Sequence, residues 1–310
     1  MNSFTRKTTV KHRTVTLLGG IAAAALLLTG CAAATSDTGA AEKPAAADEP
    51  TMAPIAEAVA LVPEALAESG TLRVAIPTNE PPTQFYREGT KDMTGINPDM
   101  ARLVAGALGL EIDIVVSNFD SIIPGLAADR FDMTVSSMTP TEERMESLDF
   151  VDYMNMGSAI AVPAGNPGDL SFDNLCGKQV AVLTGSYQLT TYVPSLDEAC
   201  KAAGKDGLTI QQFQDTRQAI SALVSGRADV VYADQPILGY AATQNADIEV
   251  AEVNNLDAVA VGSPNSTTLV DAIAEAMKVI IVSPEYTDVL ATYGMDSSAL
   301  TEVRVNFPQG

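Results

Sequence analysis

From residue 71 onward, the spacing of apolar residues alternates between two patterns. Short apolar-rich runs predict strands, and they are residues 72–76, 111–116, 131–135, 179–183, 208–213, 229–232, 248–253 and 258–261. Between them, apolar residues at helical spacing predict helices, which are residues 97–108, 122–128, 142–148, 216–225, 267–281 and 285–293. This alternation indicates an α/β fold with parallel sheets and helices on both faces. Ligands of such sheets bind beyond the carboxyl ends of the strands.

The first 30 residues have the pattern of an export signal. Their basic region contains Arg6, Lys7, Lys11 and Arg13. The apolar stretch that follows, residues 15–28, is short for a membrane span, which takes about 20 residues. We therefore expect residues 1–30 to be a signal peptide.

The run Leu28-Thr29-Gly30-Cys31 resembles a bacterial lipobox. In that motif the bond before the cysteine is cut and the sulfur carries a diacylglycerol. The resemblance implies that Cys31 is lipidated and that the protein is anchored on the outer face of the cell membrane. The alternative is an ordinary signal peptide that happens to be followed by a cysteine.

Residues 31–69 are expected to connect this anchor to the folded part of the chain. Residues 32–54 are rich in Ala, Ser, Thr, Pro, Asp and Glu and have no sustained apolar face, which is typical of a solvated tether. Residues 55–68 are more apolar, and we expect one or two short helices that dock on the body of the protein.

The charge balance excludes several classes of function. Once residues 1–30 are removed, 14 basic residues face 39 acidic ones, a formal charge of −25, and no histidine remains. A surface of this charge does not suit nucleic acid or an anionic membrane. Without histidine there is no Ser-His-Asp chemistry and no His-ligated metal, and we expect no cofactor. Catalysis by carboxylates, Lys or Tyr stays open.

Two cysteines remain beside Cys31. Cys176 and Cys200 form an even pair in a chain expected to be exported, which predicts a disulfide closing a loop of about 25 residues. The alternative is two free, buried thiols.

The loop after the strand at 131–135 has the composition of a carboxylate receptor. It contains Ser137, Met138 and Thr139, then a helix start with Arg144 one turn in. Backbone amides and hydroxyls donate to anions, and the planar fork of Arg matches two carboxylate oxygens. The alternative is that Arg144 pairs with a neighbouring carboxylate on a solvated face.

Two further strand ends carry candidate groups. After the strand at 179–183, Gly185, Ser186 and Tyr187 form a turn that can present backbone N–H groups to an anion, or can be an ordinary turn. After the strand at 229–232, Asp234 can bind an ammonium group or merely cap the next helix.

Taken in order, these loops resemble those of the extracellular solute-binding proteins of family 3, the polar amino-acid receptors of ABC importers. The resemblance covers about residues 70–295 and is strongest over residues 125–152, GLAADRFDMTVSSMTPTEERMESLDFVD. Further matching stretches are TGINPD, FDSIIPGL and GRADVVYAD. The pair of Cys176 and Cys200 looks like the version of the family found in actinobacteria.

The resemblance implies a type II periplasmic-binding-protein-like fold, with two α/β lobes joined by a two-strand hinge. Lobe I would comprise residues 70–155 and 258–310, and lobe II residues 158–255. By position, Arg144, Thr139 and Ser186 should hold the α-carboxylate of a ligand. Ser137 and Asp234 should hold its α-ammonium group, and Phe119 should pack on its side chain.

The chain departs from the family pattern where the ligand side chain is read. Glu80 stands where many members have a stacking ring, and Pro77 stands where many have an acid. Leu183 replaces a lysine found in some members. We hypothesise that Glu80 reads a cationic or amide side chain. The alternative is that Glu80 faces solvent at the lip of the cleft.

The family implies a monomeric receptor that captures a polar or cationic amino acid and delivers it to an ABC permease and its ATPase. Two alternatives are a carboxylate-dependent dehydratase on the same fold, for which Glu80 is the only obvious acid or base, and a ligand-sensing module.

Overall fold

The computed structural model describes residues 49–309, so the predicted signal peptide and the predicted anchor Cys31 lie outside the described residues. In chain order the strands are β1 (Thr71–Ile76), β2 (Phe85–Tyr86), β3 (Met93–Thr94), β4 (Glu111–Val116), β5 (Met133–Met138), β6 (Leu148–Pro163), β7 (Gln179–Leu183), β8 (Thr209–Phe213), β9 (Val230–Asp234) and β10 (Ile248–Pro264). Strands β2 and β3 pair with each other, and the other eight form one sheet in the order β4-β1-β5-β10-β6-β9-β7-β8.

Helices cover this sheet and connect its parallel strands. They are α1 (Ala56–Val59), α2 (Glu64–Ser69), α3 (Ile96–Ala107), α4 (Ile122–Ala127), α5 (Glu142–Met145), α6 (Val193–Ala202), α7 (Thr216–Val224), α8 (Gln235–Gln244), α9 (Leu269–Ile280) and α10 (Pro284–Thr292). None of the helices between residues 49 and 309 is both long and apolar enough to cross a membrane.

Strands β6 and β10 are the longest elements and run antiparallel through the middle of the sheet. Their pairing extends from Leu148 opposite Pro264 to Pro163 opposite Ile248, with an irregular register between Val253 and Leu256. The two strands predicted at 248–253 and 258–261 are therefore one strand. The helix predicted at 142–148 is also too long, because α5 ends at Met145 and Leu148 already opens β6.

Apolar packing divides the structure into two lobes. In the first lobe, Leu72, Met100 and Ile273 belong to one large cluster that covers β1 and β5 with α3 and α9. In the second lobe, Leu223 and Val180 lie in two smaller clusters around β7 and β9. The predicted two-lobed α/β fold is confirmed, with β6 and β10 passing from one lobe to the other. The exact lobe boundaries, at 155–158 and 255–258, stay a prediction.

The segment before β1 docks on the first lobe. Ala58 in α1 is fully buried, and the backbone N–H of Ile55 donates to the carbonyl of Ala107 at the end of α3, 2.8 Å away. The backbone of Met52 passes so close to Gly106 that a Cβ there would lie 2.5 Å from the Met52 carbonyl oxygen. Glycine at position 106 is therefore what lets this segment lie against α3.

The predicted disulfide between Cys176 and Cys200 is present. It links the segment before β7 to α6 within the second lobe and closes a loop that contains β7.

Replacing both cysteines with serine should destabilise the protein by about 3 kcal/mol, because the cross-link lowers the entropy of the unfolded chain. Urea unfolding monitored by circular dichroism would measure this change. Wild-type protein in reducing agent is the control and should unfold at the same midpoint as the double variant. A midpoint equal to that of the oxidised wild type would contradict the prediction.

Candidate functional site

The carboxyl ends of β1, β5, β7 and β9 converge on one cavity between the lobes, with an empty volume of about 460 Å³. Eight of the ten residues predicted from the sequence line it, and they are Glu80, Phe119, Ser137, Thr139, Arg144, Ser186, Tyr187 and Asp234.

The structure does not bring the other two predicted residues, Met138 and Gly185, to the cavity wall. The strand predicted at 131–135 continues to Met138, whose side chain is 1% exposed and belongs to an apolar cluster with Ile122 and Phe131. Met138 is therefore a core residue. Gly185 acts through its backbone, because its carbonyl accepts a hydrogen bond from Arg144.

Arg144 is a buried cation held by backbone carbonyls. Its Nη1 donates to the carbonyl of Thr139 at 2.6 Å, and its Nη2 donates to the carbonyl of Gly185 in the second lobe at 2.9 Å. The guanidinium also lies 5.7 Å from the centre of the Phe119 ring. Burial lowers the pKa of Arg144 to about 10. The charge is therefore poorly solvated and favours an anion beside it.

The alternative of a solvated ion pair for Arg144 is wrong. None of the ion pairs formed within residues 49–309 includes it. Its helix α5 is short, and the hydroxyl of Thr141 caps it by accepting from the Arg144 N–H at 3.2 Å. The cap fixes the start of the helix and so directs the side chain inward.

Asp234 ends β9 on the opposite side of the cavity. Its Oδ1 accepts from Nε2 of Gln188 at 2.9 Å, and burial raises its pKa to about 6. The side chain makes no capping hydrogen bond to α8, so the capping alternative does not hold. Gln188 also donates to the hydroxyl of Ser158 at 2.7 Å. Gln188 follows the Gly185-Ser186-Tyr187 turn directly, but its place in the cavity wall was not predicted from the sequence.

Ser137 is held by a buried polar network. Its backbone has a positive φ of 54°, which is uncommon for serine. Its N–H donates to the hydroxyl of Tyr153 at 3.0 Å, and Nδ2 of Asn97 donates to its hydroxyl at 3.1 Å. Asn97 also donates to Oε1 of Gln84, which lines the cavity. From the sequence, Asn97 was predicted only as a helix start, and no role was predicted for Gln84.

Glu80 is buried and touches the other lobe. Only 3% of it is exposed, and its Oε1 accepts from the backbone N–H of Thr216 at 2.5 Å. Burial raises its pKa to about 7. The alternative in which Glu80 faces solvent at the lip is therefore wrong. Thr216 also lines the cavity, as do Pro77 and Leu183, the other two positions that depart from the family pattern.

The charged groups of the cavity wall are one guanidinium and two carboxylates. Arg144, Asp234 and Glu80 line the same cavity, Arg144 from the first lobe and Asp234 from the second. A ligand that supplies one anionic and two cationic groups would pair every charge, and pairing relieves the cost of burial. Within the described residues, no group of three or more acidic, Cys or His side chains is placed to hold a metal ion.

Comparison with known proteins finds relatives and similar structures named as arginine-binding proteins. The chain is 32% identical over 255 residues to the arginine-binding protein ArgT of Corynebacterium glutamicum, covering 82% of this chain and 84% of that protein. It resembles an ancestral arginine-binding protein bound to arginine, with a TM-score of 0.66 and 28% identity, covering 72% of this chain and 98% of the other.

A third similar structure is AncCDT-1, an ancestral amino acid-binding protein described as a precursor of cyclohexadienyl dehydratase. Its TM-score is 0.63 and its identity 26%, covering 74% of this chain and 98% of that one. The similar proteins are thus solute-binding proteins rather than enzymes. The profile of the bacterial extracellular solute-binding proteins, family 3, matches residues 72–296. This chain belongs to that family.

Proposed function

We propose that this protein is the lipid-anchored receptor of an ABC importer and that it binds an amino acid with a cationic side chain. The observation that carries the proposal is the charge pattern of the cavity, in which buried Arg144 faces two carboxylates, those of buried Glu80 and half-buried Asp234. The arginine ligands of similar proteins support the same class of ligand.

In this proposal the two lobes share the α-amino acid core of the ligand. Arg144 and Thr139 from the first lobe, together with Ser186 from the second, hold the α-carboxylate. Asp234 and Ser137 hold the α-ammonium group. Each charge-assisted hydrogen bond contributes about 1.5–3 kcal/mol in a site that excludes water.

A ligand held from both sides favours the closed arrangement of the lobes. It shifts the open–closed equilibrium only by its differential affinity for the closed state. Because Arg144 and Asp234 lie on different lobes, a bound zwitterion satisfies both only when the lobes approach. Hinge closure through β6 and β10 is the motion expected for such a protein. The ring of Phe119 lies 5.7 Å from the guanidinium of Arg144, and in this proposal it packs on the ligand side chain.

Ligand-free protein should be stabilised by arginine, lysine or ornithine in a thermal unfolding assay against the common L-amino acids. A ligand at 100 times its Kd adds about 2.7 kcal/mol, which raises Tm by about 5–10 °C. Neutral amino acids should give smaller shifts, because they leave one buried carboxylate unpaired. Equal shifts with neutral and cationic amino acids would contradict the proposed ligand class.

Arg144→Ala should abolish these shifts while the far-ultraviolet circular dichroism spectrum stays that of the wild type. Arg144→Lys is the matched control, since it keeps the charge but loses the planar fork, and it should retain weak binding. Calorimetric titration with arginine measures both variants. Full affinity in Arg144→Ala would remove the assignment of the α-carboxylate site.

Asp234→Asn should stabilise the ligand-free protein by about 1–3 kcal/mol at pH 7.5. Burial raises the pKa of this carboxyl from its ordinary value of 3.8 to about 6 in the folded protein. The folded wild type therefore loses stability relative to the variant as the pH rises from about 4 to about 6. Urea unfolding at pH 4, 5 and 7.5 measures this difference, and a difference that does not change with pH would contradict the assignment of cause.

Cys31→Ala should release the protein from the membrane fraction of a bacterial host that processes lipoproteins. In this proposal the acyl chains on Cys31 are the anchor, so a protein without them should bind the membrane more weakly. Fractionation with immunoblotting, and incorporation of labelled palmitate, measure the effect. The variant with Cys176 and Cys200 both changed to serine is the control and should stay in the membrane fraction. If the Cys31→Ala protein still incorporated palmitate and stayed in the membrane fraction, the assignment of Cys31 as the anchor would be wrong.

A further inference from the structure

Glu80 joins the cavity to the moving lobe through one carboxylate. It lies in the loop after β1 of the first lobe, yet its Oε1 accepts from the backbone N–H of Thr216 in the second lobe at 2.5 Å. Thr216 is the first residue of α7, directly after the capping residue Asp215. The N–H of a first helical residue has no partner within the helix. Glu80 supplies that partner from across the cleft.

The second carboxylate oxygen is much less engaged. The contact of Oε2 is with Nε2 of Gln84 at 3.4 Å, near the upper limit for a hydrogen bond. Only 3% of Glu80 is exposed, and it lines the same cavity as Asp234 and Arg144. A buried carboxylate oxygen of this kind calls for a donor, preferably a charged one.

The charges around Glu80 come from three elements. Asp215 at the start of α7 and Asp234 at the end of β9 both repel its negative charge. Arg144 on α5 is the cation on the same cavity wall. The positive end of the α7 helix dipole, represented by the Thr216 N–H, favours the ionised form. Repulsion and burial oppose it, so the ionised carboxylate needs a further cation.

We infer that Glu80 is a closure latch that is selective for a cationic ligand side chain. Its Oε1 holds the N-terminus of α7 when the lobes are closed, while its Oε2 receives the cationic group of the ligand. The same charge therefore reads the ligand and fastens the second lobe. This inference rests on the proposed function, because it concerns the side-chain end of the proposed amino-acid site.

The latch explains how side-chain charge can affect closure. A cationic group beside Oε2 keeps Glu80 ionised, and an ionised carboxylate accepts a stronger hydrogen bond from Thr216 than a protonated one does. A neutral side chain leaves the buried carboxylate without that compensation. Closed forms with cationic ligands are therefore favoured over closed forms with neutral ligands of the same shape.

Arginine and citrulline test whether Glu80 recognises the charge of the ligand side chain, since they differ in side-chain charge and closely resemble each other in shape. Glu80→Gln keeps an oxygen for the Thr216 N–H but removes the charge. It should weaken arginine about 10- to 100-fold in calorimetric titration and change citrulline by less than about threefold. Wild-type affinity for arginine in Glu80→Gln would overturn the inference.

Thr216→Pro tests whether the hydrogen bond from the Thr216 N–H to Glu80 fastens the second lobe, because proline removes the N–H and is tolerated at the first position of a helix. Asp215 before it has extended backbone angles that suit a residue preceding proline. Thr216→Ala is the matched control, since it removes the side chain and keeps the N–H. The proline variant should bind arginine about 10-fold more weakly than the alanine variant.

Small-angle X-ray scattering gives a second readout. Arginine at one fixed fractional saturation should reduce the radius of gyration less in Thr216→Pro than in Thr216→Ala. Equal affinity and equal compaction in these two variants would overturn the latch.

Proton release provides an independent measurement. The pKa of about 7 means that Glu80 is partly protonated at neutral pH, and a cation beside it lowers that pKa. Wild-type protein should thus release protons on binding arginine at pH 7, and its affinity should rise from pH 6 to pH 8. Titration in two buffers of different ionisation enthalpy detects the release. Glu80→Gln should release fewer protons, and equal release by the two proteins would contradict the inference.

These experiments separate the inference from the function on which it rests. Wild-type protein that binds no amino acid would overturn both. Wild-type protein that binds arginine, with affinities indifferent to Glu80→Gln and to Thr216→Pro, would overturn the latch and leave the receptor function standing.

Discussion

The pairing of β6 with β10 is the constraint on which the rest of the structure depends. These two strands are paired from Leu148 and Pro264 at one end to Pro163 and Ile248 at the other. In the first lobe β10 also pairs with β5, and in the second lobe β6 also pairs with β9. Each lobe is thus built outward from the same pair of strands, which makes the pair both the core of the sheet and the hinge.

Strand β6 also determines where the two charged groups Arg144 and Asp234 lie in the cavity. The helix that carries Arg144 ends just before β6 begins, and Asp234 at the end of β9 lies opposite Ser158 on β6. The two charged groups are therefore positioned from one strand, on either side of the point where it passes between the lobes. A change in the relative angle of the lobes alters the distance between them while each lobe keeps its own core.

One physical cause, burial, accounts for the shifted pKa values of the three charged groups that line the cavity. Burial lowers the pKa of Arg144 and raises those of Asp234 and Glu80, because each ionised form loses water. The charged groups of the cavity wall thus make the folded protein less stable than it would be with a more apolar wall. A ligand of complementary charge offsets that cost only when it is enclosed. The same groups that reduce stability are the ones that make binding favour the closed form.

The sequence predicted those parts of the structure that depend on local patterns. The strands at 111–116 and 179–183 have the predicted limits, because each is followed directly by a polar loop, Ser117-Asn118 after the first and Thr184-Gly185 after the second. Arg144 and Asp234 were identified because each sits at a strand end in a recognisable stretch. Each of these patterns involves only neighbouring residues, so it does not depend on which distant segments pair in the fold.

The rest depends on pairing between distant residues. Gln188 and Gln84 reach the cavity through hydrogen bonds to Asp234 and Asn97 that no spacing in the sequence reveals. Met138 was assigned to the cavity because the end of β5 was placed too early. The contact of Glu80 with Thr216 joins residues 136 positions apart, so the pattern around either residue does not predict it.

Two parts of the chain outside the family match also support the first lobe. Val305 pairs with Val151 on β6, Arg304 forms an ion pair with Asp152 at 2.7 Å, and the N–H of Gln309 donates to the carbonyl of Pro140. Pro140 follows Thr139, whose carbonyl holds Arg144. The last residues of the chain therefore brace the loop that presents the guanidinium.

At the other end, Met52 and Ile55 pack against the same apolar cluster as Val303. Both extensions thus add to the core of the first lobe. In the proposed membrane-anchored protein, the tether would therefore join the lobe that holds Arg144. Closure would then move the second lobe towards a first lobe that is fixed by the anchor. Thr216, on α7 of the second lobe, would be carried to Glu80 by that movement.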